Sequence, residues 1–223
     1  MLNNSAFSAK NGNVMPPPVF ITAAVEGITD EAVLKRICEH AGAQTASVYG
    51  KSGKPGLLSR LSGYNNSARY RHWVVLLDLD SDGDCAPAVL PRWLPHPSAL
   101  MCFRVAVREL EAWILSDPER IAQFLGINQR HIPPQPESLP DPRATLLSLA
   151  RRSRKSDIRD DLLPRPGSGQ SVGPAYASRL IEFVQDRHFG WRPDIAEINS
   201  DSLRRCVAAI RHLVELPFPN RPQ

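Results

Sequence analysis

The fold is written most plainly in the stretch Trp73-Val-Val-Leu-Leu-Asp-Leu-Asp80. Its first five residues are apolar without interruption, and then Asp78 and Asp80 follow. A continuous apolar run predicts a strand buried on both faces, as in parallel sheets covered by helices; an alternating run would predict a half-exposed strand. Carboxylates at the end of such a strand lie at the carboxyl edge of the sheet, where α/β folds bind their ligands.

A second apolar run, Val19–Val25, also ends on an acid, Glu26, followed by Gly27. Carboxylates at the ends of neighbouring parallel strands converge and repel one another. A hard divalent cation relieves that repulsion. Glycine after Glu26 is expected to let the backbone turn, and Asp30 stands one helical turn further on. Thr29 or Asp30 is the expected cap of the next helix, whose apolar face carries Ala32, Val33, Ile37 and Cys38 or Ala41. An acidic helix start favoured by the helix dipole explains the same residues without a ligand.

The remaining pattern extends the alternation. Gln44–Tyr49 reads as a strand, Gly50–Gly56 as a flexible loop and Leu57–Leu61 as a short helix. Ser81–Pro87 is turn-like, Ala88–Leu94 a short helix and Met101–Val107 a fourth strand. Glu109–Leu115 begins a helix, and Asp117-Pro118 reads as the cap and first residue of another. The order β-α-β-α-β-α-β predicts a mostly parallel four-stranded α/β sheet flanked by helices, with right-handed crossovers. Residues 19–127 form this α/β part. After the proline-rich His131–Pro142, the helical stretches Arg143–Arg152, Pro174–Phe189 and Ser202–Leu213 predict a C-terminal helical extension, 128–223, packed on the sheet. Apolar residues three and four apart (Tyr176, Leu180, Phe183 and Val184; Leu203, Val207, Ile210 and Leu213) read as core packing. Met1–Pro18, rich in Asn, Ser and Pro, reads as a disordered leader.

Composition narrows the class. The chain has 223 residues, 42% of them hydrophobic and 22% charged, a globular balance. No apolar run reaches the roughly 18–20 residues of a membrane helix, so no membrane partner is expected. Cys38, Cys85, Cys102 and Cys206 form no CxxC pair. Reduced thiols in the cytoplasm are expected, not zinc. The net charge of +4 is compatible with a polyanionic partner. Arg151, Arg152, Arg154, Lys155, Arg159 and Arg165 crowd one segment, which is either a solvated helix end or a patch that contacts phosphate.

Several signatures fail. Asp78–Gly83 matches the start of an EF-hand loop, but position twelve is Val89 and a strand precedes it. An aspartate-nucleophile phosphatase would need a small hydroxyl residue after the acidic pair. Gly50-Lys51-Ser52 ends like a phosphate loop, but the first glycine of that motif is replaced by Thr45. Lys51 and Lys54 remain candidate phosphate contacts, with Arg108, Arg152 and Arg154. Extended backbone would send Asp78 and Asp80 to the same side, with Asp82 and Asp84 adding charge nearby. In Arg108-Glu109-Leu110-Glu111, Glu111 is the preferred site residue and Glu109 the second; if helical, Arg108 and Glu111 share a face.

A glutamate after the first strand and Asp-x-Asp after the third resemble the Toprim fold of topoisomerases, primases, recombination proteins and OLD-type nucleases. Val25-Glu-Gly-Ile-Thr-Asp30 is similar to the OLD-like branch. Val107-Arg-Glu-Leu-Glu-Ala-Trp-Ile-Leu-Ser-Asp117, with its helical tail, resembles small bacterial Toprim-like proteins. The resemblance spans about Val19–Asp117. It implies phosphodiester hydrolysis on nucleic acid with Mg²⁺ or Mn²⁺, in which Glu26 is the general acid/base or a metal ligand and Asp78 and Asp80 are the metal pair. Asp30, Glu111 and Glu109 complete the candidate metal set. The chain has neither the ATPase segment of OLD proteins nor a topoisomerase-type tyrosine region. A separate ATPase partner, a homo-oligomer and a defence or repair setting are therefore within the expectation. The alternative is a non-catalytic subunit that binds nucleic acid or a partner.

Overall fold

A computed structural model describes residues 18–83 and 85–217. Four parallel strands form one sheet in the order β2-β1-β3-β4: β1 Val19–Val25, β2 Ala43–Gly50, β3 Trp73–Asp78 and β4 Met101–Ala106. All six residues of β3 are buried, as its unbroken apolar run predicts, because β1 and β4 flank it and helices cover both faces. β2 lies at an edge and is largely exposed. Of the expected leader, Met1–Pro18, residues 1–17 lie outside the described residues, as does Asp84.

Side chains alternate between the faces with the two-residue period of a strand. Ile21, Ala23, Val25, Val74, Leu76, Cys102 and Ala106 face one core, and Ala24, Trp73, Val75, Leu77, Met101 and Phe103 face another. The first core is closed by α1 (Ile28–His40) and by the helices after β4. These are α5 (Leu110–Leu115), α6 (Pro118–Leu125), α7 (Pro142–Arg151), α8 (Ser156–Leu162), α9 (Tyr176–Gln185), α10 (Pro193–Asn199) and α11 (Asp201–Glu215). The opposite face is covered by α2 (Gly53–Leu58) and α3 (Leu61–Ser67), with α4 (Ala86–Trp93) over Leu79 and Val105. The predicted α/β fold, a four-stranded parallel sheet flanked by helices with a helical extension, is the observed one.

Some local expectations are corrected. The helix after Glu26 starts at Ile28 with Gly27 at its cap and no side-chain capping bond, so neither Thr29 nor Asp30 caps it. Asp30 is buried inside the first turn. The loop expected at Gly50–Gly56 gives way to α2 from Gly53. Its propensity is poor, but Leu57 is fully buried against the sheet, and packing overrides propensity. The helices α8 and α10 go beyond the expected set; each is seven residues long, too short for a periodic signal. Asp117 does cap α6, accepting from the Arg120 N–H, with Pro118 as its first residue. The four cysteines are free. Among the described residues, no helix is long and apolar enough to cross a membrane.

Topology places the site. From β1 the chain crosses through α1 to β2 on one side, whereas from β3 it crosses through α4 to β4 on the other. The carboxyl ends of β1 and β3 therefore flank the switch point of the sheet, where the connections diverge.

Candidate active site

Glu26 and Asp78 meet at that switch point. The Asp78 backbone N–H donates to Glu26 Oε1 at 2.8 Å. The turn after β2 wraps the end of β1: the Lys51 N–H donates to Val25 O at 2.9 Å and the Gly53 N–H to Glu26 O at 3.1 Å. Gly50 makes this approach possible. Its φ is +90°, and a Cβ there would lie 2.2 Å from Val25 O. Gly27 has a different use from the one expected. Its backbone is extended, with φ −141°, so the turn does not require glycine. A Cβ at Gly27 would instead press on Asp30 Oδ2 at 3.1 Å, so the missing side chain makes room for that carboxylate.

Asp30 and Glu111 join Glu26 and Asp78. Asp30 is 9% exposed, and its Oδ1 is buried without a hydrogen-bond partner. Asp78 Oδ1 accepts the Leu110 N–H at 2.9 Å, which ties the end of β3 to the first turn of α5. Glu111 Oε1 accepts both Arg143 Nε–H at 2.9 Å and the Tyr176 hydroxyl at 2.9 Å. These bonds of Glu26, Asp78 and Glu111 thus engage one oxygen of each and orient the carboxylate, as donors placed behind oxygen ligands do.

Electrostatics follows from this crowding. Burial pushes Glu26 up to about 7, helped by the charges of Asp30 and Asp80 and opposed by the Asp78 N–H and Lys54. Burial and then Glu111 push Asp30 to about 6, against its backbone hydrogen bonds and Arg143. Asp78 is raised well above the usual carboxylate range by burial and by Asp30, Glu111 and Glu26. Burial comes first in all three, and neighbouring acids add to each, as expected where carboxylates outnumber positive charges.

The other expected site residues lie around this group. Asp80 does not share a side with Asp78: its φ of +51° turns the chain. Its carboxylate pairs with Lys54 Nζ at 2.6 Å, and Lys54 also holds Asp82 at 2.7 Å. Arg108 is bonded to the same turn; its carbonyl accepts the Asp80 N–H at 2.8 Å and its Nη1 donates to Asp80 O at 3.3 Å. Arg108 precedes α5, so it shares no helix face with Glu111. Glu109 stands at the cap position of α5 in extended backbone and accepts the Arg143 N–H at 3.1 Å, serving the start of α7. Lys51 pairs with Glu31 at 2.8 Å.

Arg152 and Arg154 are elsewhere. The ten residues of α7 span about 15 Å, with Arg143 at the carboxylates and Arg152 just past the far end. Near there Lys155 Nζ donates to the carbonyls of Gln123 and Phe124, closing the end of α6, and Arg159 donates to Ser153 O. These two members of the basic segment have structural partners. Sequence reasoning missed Arg143 and Tyr176. The only local signal for Arg143 is its place in the first turn of a helix begun by Asp141-Pro142, and nothing local marks Tyr176 apart from its apolar stripe.

The donor chemistry suits a hard cation: oxygen ligands only, one of them buried and unpartnered. As they stand, however, the described residues include no group of three or more His, Cys, Asp or Glu side chains arranged to hold a metal ion. Cation binding therefore requires side-chain movement within the cluster. Comparison with protein-family models, curated proteins and solved structures finds no match to this chain.

Proposed function

We propose that the carboxyl edge of this sheet hydrolyses phosphodiester bonds in nucleic acid with Mg²⁺ or Mn²⁺. One observation carries the reading. At the switch point the carboxylates of Glu26, Asp30, Asp78 and Glu111 are gathered in a largely buried place, where burial and neighbouring acids raise the proton affinity of Glu26, Asp30 and Asp78, and Asp30 leaves a buried oxygen without a donor. The Toprim resemblance of Val25–Asp30 and of Val107–Asp117 supports the same reading.

A divalent cation bound there supplies charge neutralisation and polarises a phosphoryl oxygen. The chain supplies the rest. Glu26, half-buried at the end of β1 with the Asp78 N–H on one oxygen, would take a proton from the attacking water and return one to the leaving oxygen. Gly27 leaves room for Asp30, and the Leu110 N–H fixes Asp78. Lys54, from α2, and Arg108, ahead of α5, are bonded to the Asp80 turn beside the cluster and would orient substrate phosphates. The basic segment at Arg152 and Arg154 would extend the track for the polyanion. A cytoplasmic defence or repair system with a separate ATPase is the setting that this reading favours.

A second reading has its own observation. Glu26, Asp78, Asp80 and Glu111 already receive internal donors, as they would in a subunit that keeps the fold only to bind. Incubating the protein with single- and double-stranded DNA and RNA, in EDTA, Mg²⁺ or Mn²⁺, separates the two. Cation-dependent cleavage that Asp78→Asn removes supports hydrolysis. No cleavage of any substrate, with or without cellular partners, supports the binding subunit.

A further inference from the structure

Glu111 is held by two donors of different kinds. Arg143 Nε–H and the Tyr176 hydroxyl both reach its Oε1 at 2.9 Å. The Glu111 side chain is 7% exposed, whereas that of Arg143 is 42% exposed. The guanidinium therefore approaches a buried carboxylate from the solvent side, at the start of α7. Tyr176 is 7% exposed, neutral and on another helix. Beside this pair, Asp30 is buried and its Oδ1 has no donor. One carboxylate of the cluster is thus bonded directly to a cation that the chain carries, while another has a buried oxygen with no donor.

We propose that Arg143 is an exchangeable counter-cation. In the cation-free protein it holds Glu111. When a divalent cation is bound among Glu26, Asp30, Asp78 and Glu111, Arg143 gives up Glu111 and turns to a phosphate of the substrate. The inference rests on the proposed function and names the residue that links cation binding to substrate binding. Its physical basis is that a guanidinium and a divalent cation repel each other across a buried carboxylate. The half-exposed guanidinium can leave for solvent, and its fork of donors matches a phosphate. Tyr176 stays, because a neutral hydroxyl on Oε1 is compatible with a cation on Oε2 and fixes the orientation of Glu111.

Calorimetric titration of Mg²⁺ and Mn²⁺ into wild type, Arg143→Gln and Tyr176→Phe tests the exchange. Removing the competitor is expected to tighten cation binding roughly tenfold, and removing the orienting hydroxyl to weaken it. Arg143→Gln is also expected to bind oligonucleotide more weakly, with a salt slope reduced by about one. Should Arg143→Gln fail to fold, the wild type still reports. The Arg143 Nε–H resonance, assigned by its loss in Arg143→Lys, is expected to shift and exchange faster with water at saturating Mg²⁺. An unmoved resonance, or cation binding by Arg143→Gln no tighter than by wild type, overturns the exchange alone. If neither protein binds a cation, the exchange and the proposed function fall together. Tighter binding by Arg143→Gln, in a protein whose wild type cleaves nothing, supports the exchange and overturns only the hydrolysis.

Discussion

Two places in this protein bury carboxylates, and they are balanced differently. Where α5 meets α6, Asp117 is fully buried and receives Arg192 three times: from Nε at 2.9 Å, from Nη2 at 2.8 Å and from the backbone N–H at 3.1 Å. Nearby, Trp191 Nε1–H donates to Trp113 O at 3.0 Å, so this corner fastens the segment before α10 to α5. At the switch point Glu26, Asp30, Asp78 and Glu111 gather, Arg143 bonds only Glu111 of the four, and Lys54 is engaged by Asp80 and Asp82. A carboxylate matched by its own guanidinium joins helices. Carboxylates in surplus are held in place by the backbone and side-chain donors of the fold around them.

The strongest test of this contrast is to neutralise one member of each group. Glu26→Gln and Asp78→Asn are expected to lower phosphodiester cleavage by about 10³-fold, since each keeps its volume but loses the charge that moves a proton or meets a cation. Asp117→Asn is expected to leave turnover per folded molecule unchanged. Steady-state cleavage of an oligonucleotide, normalised to folded protein, decides between them. Equal activity in Asp78→Asn and wild type would place the chemistry elsewhere.

Stability should show the reverse pattern. Arg192→Ala leaves Asp117 buried and unpaired, and is expected to cost about 3 kcal/mol in urea denaturation. Asp30→Asn removes one of the surplus charges, so in EDTA at pH 8 it is expected to stabilise the protein, by about 1 kcal/mol. If both substitutions destabilise alike, the two regions are not balanced differently.

The pH dependence bears on the same difference. Folded Glu26 and Asp30 hold protons up to about pH 7 and about pH 6, against ordinary values of 4.5 and 3.8. Between those limits the folded state binds more protons than the unfolded one. The contribution of these groups is fully present below the ordinary values and is lost as pH rises through the folded ones. Thermal melts in EDTA should therefore show this contribution fading towards pH 7. Mg²⁺ or Mn²⁺ should restore stability at pH 8 in wild type but not in Asp30→Asn, and Zn²⁺ should do so less. A melt that is flat with pH and indifferent to Mg²⁺ and Mn²⁺ would remove the electrostatic case for a cation.

The smallest effect is expected from Arg152→Ala with Arg154→Ala, some 15 Å from the carboxylates by the length of α7. Binding to nucleic acid should weaken, and its salt slope should fall by about one for each phosphate that is no longer neutralised, while turnover at saturating substrate is unchanged. A fall in that turnover would mean that the basic segment reaches the chemistry.

Strands were the most legible elements because their signal is local. The unbroken run Trp73–Leu77 and the run Val19–Val25 each end on an acid, and both acids are where that order puts them, at one edge of a parallel sheet and in contact. Helices with short or glycine-bearing sequences were less legible. Only burial of Leu57 explains α2, and burial is set by residues far along the chain.

Within the site, the order of residues along the chain put six acids near the carboxyl edge: Asp78 ends β3, and Glu26, Asp30, Asp80, Glu109 and Glu111 follow the ends of β1, β3 and β4. What each of them touches was settled only by how the chain packs. Asp80 leaves the cluster because the backbone turns at φ +51° and Lys54, from α2, is there to meet it. Asp30 enters it because Gly27 yields space. Glu111 is claimed by donors 32 and 65 residues away. A carboxylate is placed by its own strand or helix, but its charge state and its partner belong to whatever donors the rest of the chain packs against it, and local sequence carries no information about those.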